Sequence, residues 1–126
     1  MNGSNKKEFG DYQTPDYFAM KVCDLLKNGL HLDPKLIIEP TSGVGNFLNA
    51  ALETFEKVEK AIGLEINAKY CAKCKKRIVD TRLQVINNNF FSYQIEQHME
   101  DKETLFIGNP PWAMNSDLNF TRKREF

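Results

Sequence analysis

Leu36-Ile37-Ile38-Glu39-Pro40-Thr41-Ser42-Gly43-Val44-Gly45-Asn46-Phe47 is the stretch on which the reading of the fold turns. Its first three residues form an apolar run that reads as a buried strand. Pro40 has no N–H to give to a ladder and stops that strand. A glycine-rich turn then leads into a helix from about Asn46 to Phe55. Gly43 and Gly45 tolerate positive φ and let a ligand come close to the backbone. Glu39 places a carboxylate at the strand's carboxyl end, where open α/β sheets bind ligands. That carboxylate suits a cationic group and not a phosphate. No Lys-Ser/Thr follows the glycines, which argues against a P-loop. Leu48 stands where a dinucleotide fingerprint has its third glycine, which argues against a nicotinamide-dependent dehydrogenase.

Toward the carboxyl end, Ala61-Ile62-Gly63-Leu64 reads as a second strand and ends at Glu65. This acid follows Gly45 by about twenty residues, close to the spacing at which a carboxylate reaches ribose hydroxyls. Asn67 is placed to cap the next helix, which runs to about Val79. Lys69, Lys73, Lys75, Lys76 and Arg77 give it a basic face, read as solvated, while Cys71 and Cys74 read as partly buried thiols. A third strand covers Leu83 to Ile86 and ends at Asn87-Asn88-Asn89. Phe90 suits either a cover for a planar ring or ordinary core, and Ser92 to His98 reads as a short helix. His31 and His98 have no evident partner and read as structural or exposed.

The fourth strand, Thr104 to Ile107, runs into Gly108-Asn109-Pro110-Pro111-Trp112. Two prolines make this turn stiff. Asn109 offers a side-chain carbonyl, and Pro110 a backbone carbonyl with no N–H beside it. Two acceptors held close together suit an –NH2 group, and Trp112 offers a flat face for a planar ring. An exocyclic amine of a nucleobase fits all three. Accepting both of its hydrogens favours a tetrahedral nitrogen with a free lone pair. An amide –NH2 also fits the turn.

Toward the amino end, Gly10 to Pro15 precede the first helix, with Thr14 as expected N-cap and Pro15 as first helical residue. Phe18, Val22, Leu25 and Leu26 form its expected buried face, and Gly29 ends it. With 126 residues, 41% of them hydrophobic, the chain amounts to one domain with one core. Its 17 basic residues balance 17 acidic ones, so no global charge draws nucleic acid. No apolar run is long enough to span a membrane, and no secretory signal is evident. Three cysteines, an odd number without a disulfide framework, imply a cytoplasmic location. A zinc site needs more ligands than one Cys pair offers, so no metal is expected. Strands alternating with helices imply an α/β fold, a parallel sheet flanked by helices. Glu39, Glu65, Asn89 and Asn109 then gather at one rim.

Gln13-Thr14-Pro15, Glu39-Pro40 through Phe47, Glu65, Asn89-Phe90 and Asn109-Pro110-Pro111-Trp112 occur in one order. In that order they resemble the amino-terminal part of S-adenosylmethionine-dependent DNA adenine-N6 methyltransferases of bacterial restriction–modification systems. The resemblance covers about Phe9 to Leu118. It implies a Rossmann-like class I methyltransferase fold, S-adenosylmethionine as cofactor and adenine in DNA as substrate. It implies that Thr14 touches the methionine part of the cofactor and that Glu39 sits near its ammonium group. Pro40, Gly43, Gly45 and Phe47 belong to the same cofactor turn. Glu65 would bind the ribose hydroxyls, Ile66 would pack on the adenine, Asn89 would face the adenine edge and Phe90 its ring. Asn109 and Pro110 would bind the target amine, with Pro111 stiffening the turn, and Trp112 would stack on the flipped base.

Two positions depart from the pattern: relatives usually carry Asp where Asn89 stands and Tyr where Trp112 stands. Relatives also continue well beyond the Asn-Pro-Pro turn, with more strands and a target-recognition region. Residues 1–126 are therefore expected to be the amino-terminal part of a catalytic domain, truncated after the fourth strand and lacking that region. A completing carboxyl-terminal chain or a restriction endonuclease is the expected partner. The residues also leave open an enzyme of this fold acting on RNA or on a protein glutamine, and an inactive S-adenosylmethionine-binding remnant.

Overall fold

Four short parallel strands form one sheet in the computed structural model, which describes residues 13–109. They are β1 (Leu36–Glu39), β2 (Lys60–Leu64), β3 (Leu83–Ile86) and β4 (Thr104–Phe106), in the order β3-β2-β1-β4. Thr14–Asn109 make up one unit. The other, Met1–Gln13 with Pro110–Phe126, lies outside the described residues apart from Gln13.

β1 is the central strand, and all four of its residues are buried. Ile38 pairs across to Ile62 on one side and Phe106 on the other. Alternation along the strand sends neighbouring side chains to opposite faces. Ile37 therefore joins one core cluster while Leu36 and Ile38 join another. The first cluster lies under three helices: α1 (Asp16–Asp24), α2 (Asn46–Thr54) and α3 (Ala68–Arg77). The second packs Leu36, Ile38, Ile62 and Leu64 beneath Ile95 of a 3-10 turn, Ile95–His98, with Phe90, Tyr93 and Met99 beside it. No helix among the described residues is long and apolar enough to cross a membrane.

The expected elements are present, with local corrections. Pro15, not Thr14, occupies the N-cap of α1, and its carbonyl accepts the N–H groups of Phe18 and Ala19 at 3.1 Å each. The helix continues into a π turn, Leu25–Gly29. Its buried stripe is Ala19, Val22, Cys23 and Leu26, while Phe18 and Leu25 are 50% and 63% exposed. The small Ala19 and Cys23 share a cluster with Ala50 and Ala51 of α2, so the two helices meet through small residues and the larger ones turn outward. Asn67 caps α3 as expected, accepting from the N–H groups of Lys69 at 2.9 Å and Tyr70 at 3.2 Å. His98 does have a partner: the Tyr93 hydroxyl lies 2.8 Å from its Nε2, and the two rings stack. All three cysteines are free and buried, which corrects the partly buried reading of Cys71 and Cys74. Burial pushes the Cys23 and Cys74 thiols up to about 11, so both are neutral core groups.

Candidate functional site

The turn between β1 and α2 is fastened to the end of β2. Ser42 N–H donates to the Leu64 carbonyl at 2.9 Å, and Gly43 N–H donates to Glu65 Oε1 at 2.7 Å. Gly45 then closes the turn, its N–H donating to the Ser42 carbonyl at 2.9 Å. Gly45 has φ 89°, and a Cβ there would stand 2.5 Å from Cys74 Sγ and 2.9 Å from Ile78 Cδ1. The missing side chain at Gly45 thus makes room for α3. Phe47, 4% exposed, belongs to the core under the helices, and Pro40 is half-buried directly after β1.

Glu39 is 3% exposed at the carboxyl end of β1. The Leu48 backbone N–H, in the first turn of α2, donates to its carboxylate. Its other oxygen, Oε1, has no hydrogen-bond partner among the described residues. Gly108 closes over it from the end of β4: a Cβ there would lie 3.1 Å from Glu39 Cγ and 3.3 Å from Oε2. Burial holds this carboxyl well above the ordinary range, opposed by the Leu48 bond and reinforced by the charge of Glu65. A buried, unpaired carboxylate oxygen is costly, and a cationic donor is the partner that suits it.

Glu65 is oriented by the backbone on both sides. Oε1 accepts from Gly43, and Oε2 accepts from Asn67 N–H at 3.0 Å. Each oxygen keeps a lone pair for a further donor. The Asn87 amide supports the same corner, donating to the carbonyls of Glu65 at 2.8 Å and Ile66 at 3.1 Å. In the sequence Asn87 is marked only as the residue that ends the third strand. Ile66, next in the chain, is 71% exposed. Asn89 spends its side-chain carbonyl on the Phe91 N–H at 2.9 Å, which leaves its –NH2 as the outward-facing group. Phe90 is half-buried on the second core cluster and meets Phe91 and Phe106 edge-on, at 5.6 and 6.4 Å between centroids.

Thr14, 8% exposed, joins two turns. Its carbonyl accepts from Asn46 Nδ2 at the start of α2. Its hydroxyl accepts from Asn109 Nδ2 at 3.4 Å, a long bond between residues at opposite ends of the described chain. With Nδ2 turned to Thr14, Asn109 Oδ1 is left as an acceptor. Pro110, Pro111 and Trp112 lie outside the described residues.

Arg77, the last residue of α3, carries no functional signal in the sequence. It does not merely solvate a basic face. Nη2 pairs with Asp16 Oδ1 at 2.6 Å, and Nη1 donates to Asn46 Oδ1 and, at 3.4 Å, to the Val44 carbonyl. No local pattern could reveal this, because every partner is more than thirty residues away in sequence.

Over 116 residues the chain is 40% identical to the Type II methyltransferase M.NspV of Nostoc sp., a match covering 88% of this chain. It covers 24% of the relative, so the chain spans about a quarter of the length of the curated protein it matches. No family model matches the chain. Among solved structures, a candidate RNA methyltransferase from Pyrococcus horikoshii superposes with a TM-score of 0.62 at 16% identity, over 89% of this chain and 56% of that one. The plantazolicin methyltransferase BamL, solved with SAH, gives 0.54 at 16% identity, over 75% of this chain and 35% of its own. At that identity the likeness is one of fold. The parallel sheet with flanking helices is the Rossmann-like fold of class I methyltransferases, as the motif order implied.

Proposed function

We propose that the chain is the amino-terminal part of a catalytic domain that methylates the N6 amine of adenine in DNA, with S-adenosylmethionine as cofactor, in the cytoplasm. One observation carries this reading: buried Glu39, one oxygen of which has no partner among the described residues, lies under Gly108, next to the Asn109 that Thr14 holds. A site for a cation and an acceptor for an amine thus adjoin at the carboxyl ends of neighbouring strands. Similarity to a Type II methyltransferase supports the choice of DNA.

The residues fit the cofactor's parts. When bound, S-adenosylmethionine supplies a methyl group activated by a positively charged sulfur. Glu39 Oε1 accepts from the ammonium group, and Thr14 lies at that same end. The spare lone pairs of Glu65 accept from the ribose hydroxyls. Ile66 and Phe90 flank the adenine, and the Asn89 –NH2 donates to a ring nitrogen. Asn109 Oδ1 and the Pro110 carbonyl accept the two hydrogens of the target amine, while Trp112 stacks on the base. The proposed partner is a completing carboxyl-terminal chain, which would carry the DNA-reading surface, or a restriction endonuclease.

Calorimetry with S-adenosylmethionine tests the cofactor site. Glu65→Ala should weaken binding by about 1.5–3 kcal/mol, the worth of hydrogen bonds to a charged group. No binding to wild type, or equal affinity in the variant, overturns the reading. Methyl transfer is then followed on adenine-containing DNA, RNA and a glutamine peptide, with a carboxyl-terminal half supplied. Asn109→Ala should lower turnover on DNA by about 10²–10³-fold. Transfer confined to RNA or peptide removes DNA as the substrate. Cofactor binding without any transfer supports an inactive remnant.

A further inference from the structure

We infer that Arg77 is a positioning residue that builds the amino-acid end of the cofactor site, by holding the Thr14 segment against the glycine-rich turn and the start of α2. The inference rests on the cofactor reading above.

The guanidinium meets three acceptors on two separate segments. Asp16 lies two residues after Thr14, Val44 is in the turn, and Asn46 opens α2. Such a fork of donors in fixed geometry is what Arg provides and Lys does not. Exposed ion pairs contribute little to stability, and the Asp16 side chain is 64% exposed. The value of this pair therefore lies in orientation. Because Asn46 Oδ1 accepts from Arg77, its –NH2 is turned toward the Thr14 carbonyl. Thr14 in turn meets Asn109 through its hydroxyl. The path from Arg77 thus ends beside Glu39, whose carboxylate is bonded in the same first turn of α2.

The Glu65 end of the site stands on different supports. Gly43 and Asn67 hold its carboxylate and Asn87 its backbone, and none of these bonds involves Arg77. The two ends should therefore respond differently to loss of Arg77.

Two ligands separate them. S-adenosylhomocysteine carries the amino-acid part, and 5′-methylthioadenosine keeps the adenosine and thioether without it. Calorimetry is run with both on wild type, Arg77→Ala and Arg77→Lys. Both variants should lose about tenfold or more in affinity for S-adenosylhomocysteine, and less than about twofold for methylthioadenosine. Arg77→Lys should not rescue, because one ammonium cannot serve all three acceptors across both segments. Equal losses for both ligands would assign Arg77 a merely structural role, and no loss would assign it none. Wild type that binds neither ligand overturns the cofactor reading itself, and the inference with it. If the Arg77 variants do not fold, Asn46→Ala removes the bridge to Thr14 while leaving the Arg77–Asp16 pair. It should show the same selective loss, and an unselective one rejects the inference.

Discussion

Glu39 gives the unliganded protein a pH signature that can be argued from its surroundings. Its carboxyl is held well above the ordinary range, mainly by burial. At pH below that range it is protonated in both folded and unfolded chains and contributes nothing to the balance. As pH rises, the unfolded chain releases the proton first and the folded chain retains it. The folded state then binds more protons, so stability falls with rising pH until the folded pKa is passed. The slope from one such group is at most about 1.4 kcal/mol per pH unit. Glu39→Gln should flatten it, as read from urea denaturation at a series of pH values above the ordinary carboxylate range. A cationic group on Oε1 favours the ionised form, so cofactor binding in that window should release a proton. The binding enthalpy of wild type should therefore vary with the buffer's ionisation enthalpy, and that of Glu39→Gln should not. A wild-type enthalpy that is the same in every buffer rules out ionisation of Glu39 on binding.

At the scale of elements, the glycine-rich turn is held by its neighbours as much as by its own conformation. Gly45 combines a left-handed φ of 89° with a space already filled by Cys74 of α3 and by Ile78, which caps that helix. Gly45→Ala should destabilise the fold by about 1–3 kcal/mol, from strain and overpacking together. Adding Cys74→Ala removes the 2.5 Å contact but neither the strained φ nor the approach to Ile78. The double variant should recover only part of the loss, measured by chemical denaturation. Full recovery would place the whole cost in the Cys74 contact. A different helix contact, that of α1 with α2, explains why the pattern of α1 misleads. Apolar Phe18 and Leu25 have helical spacing, but the small Ala19 and Cys23 decide which face can come close to α2.

At the scale of the molecule, β4 is an outer strand of the sheet among the described residues. Among the described residues β4 pairs with β1 alone, and Phe106 on it is 44% exposed. Unpaired backbone groups beside an exposed aromatic ring form a template for association. The chain in isolation should therefore self-associate in a concentration-dependent way in sedimentation velocity. Phe106→Lys, which puts a charge beside that edge, should shift it toward monomer. A wild-type chain that stays monomeric over about a hundredfold range of concentration would mean that the edge is protected.

Sequence by itself determined what is local in this protein. Apolar runs ending in an acid, Pro or Asn marked the four strands and put Glu39, Glu65 and Asn109 at their ends. Asn67 announced its cap because a capping bond reaches only two or three residues. Only the tertiary structure decided what depends on distant neighbours. It moved the buried face of α1 and gave Gly45 to the packing of α3. It also joined Arg77, Asn46, Thr14 and Asn109 by hydrogen bonds. A charged side chain on a helix looks solvated in sequence because its period records burial and not partners. Which acceptors it finds is set by how strands and helices stack, and that is a property of the folded chain alone.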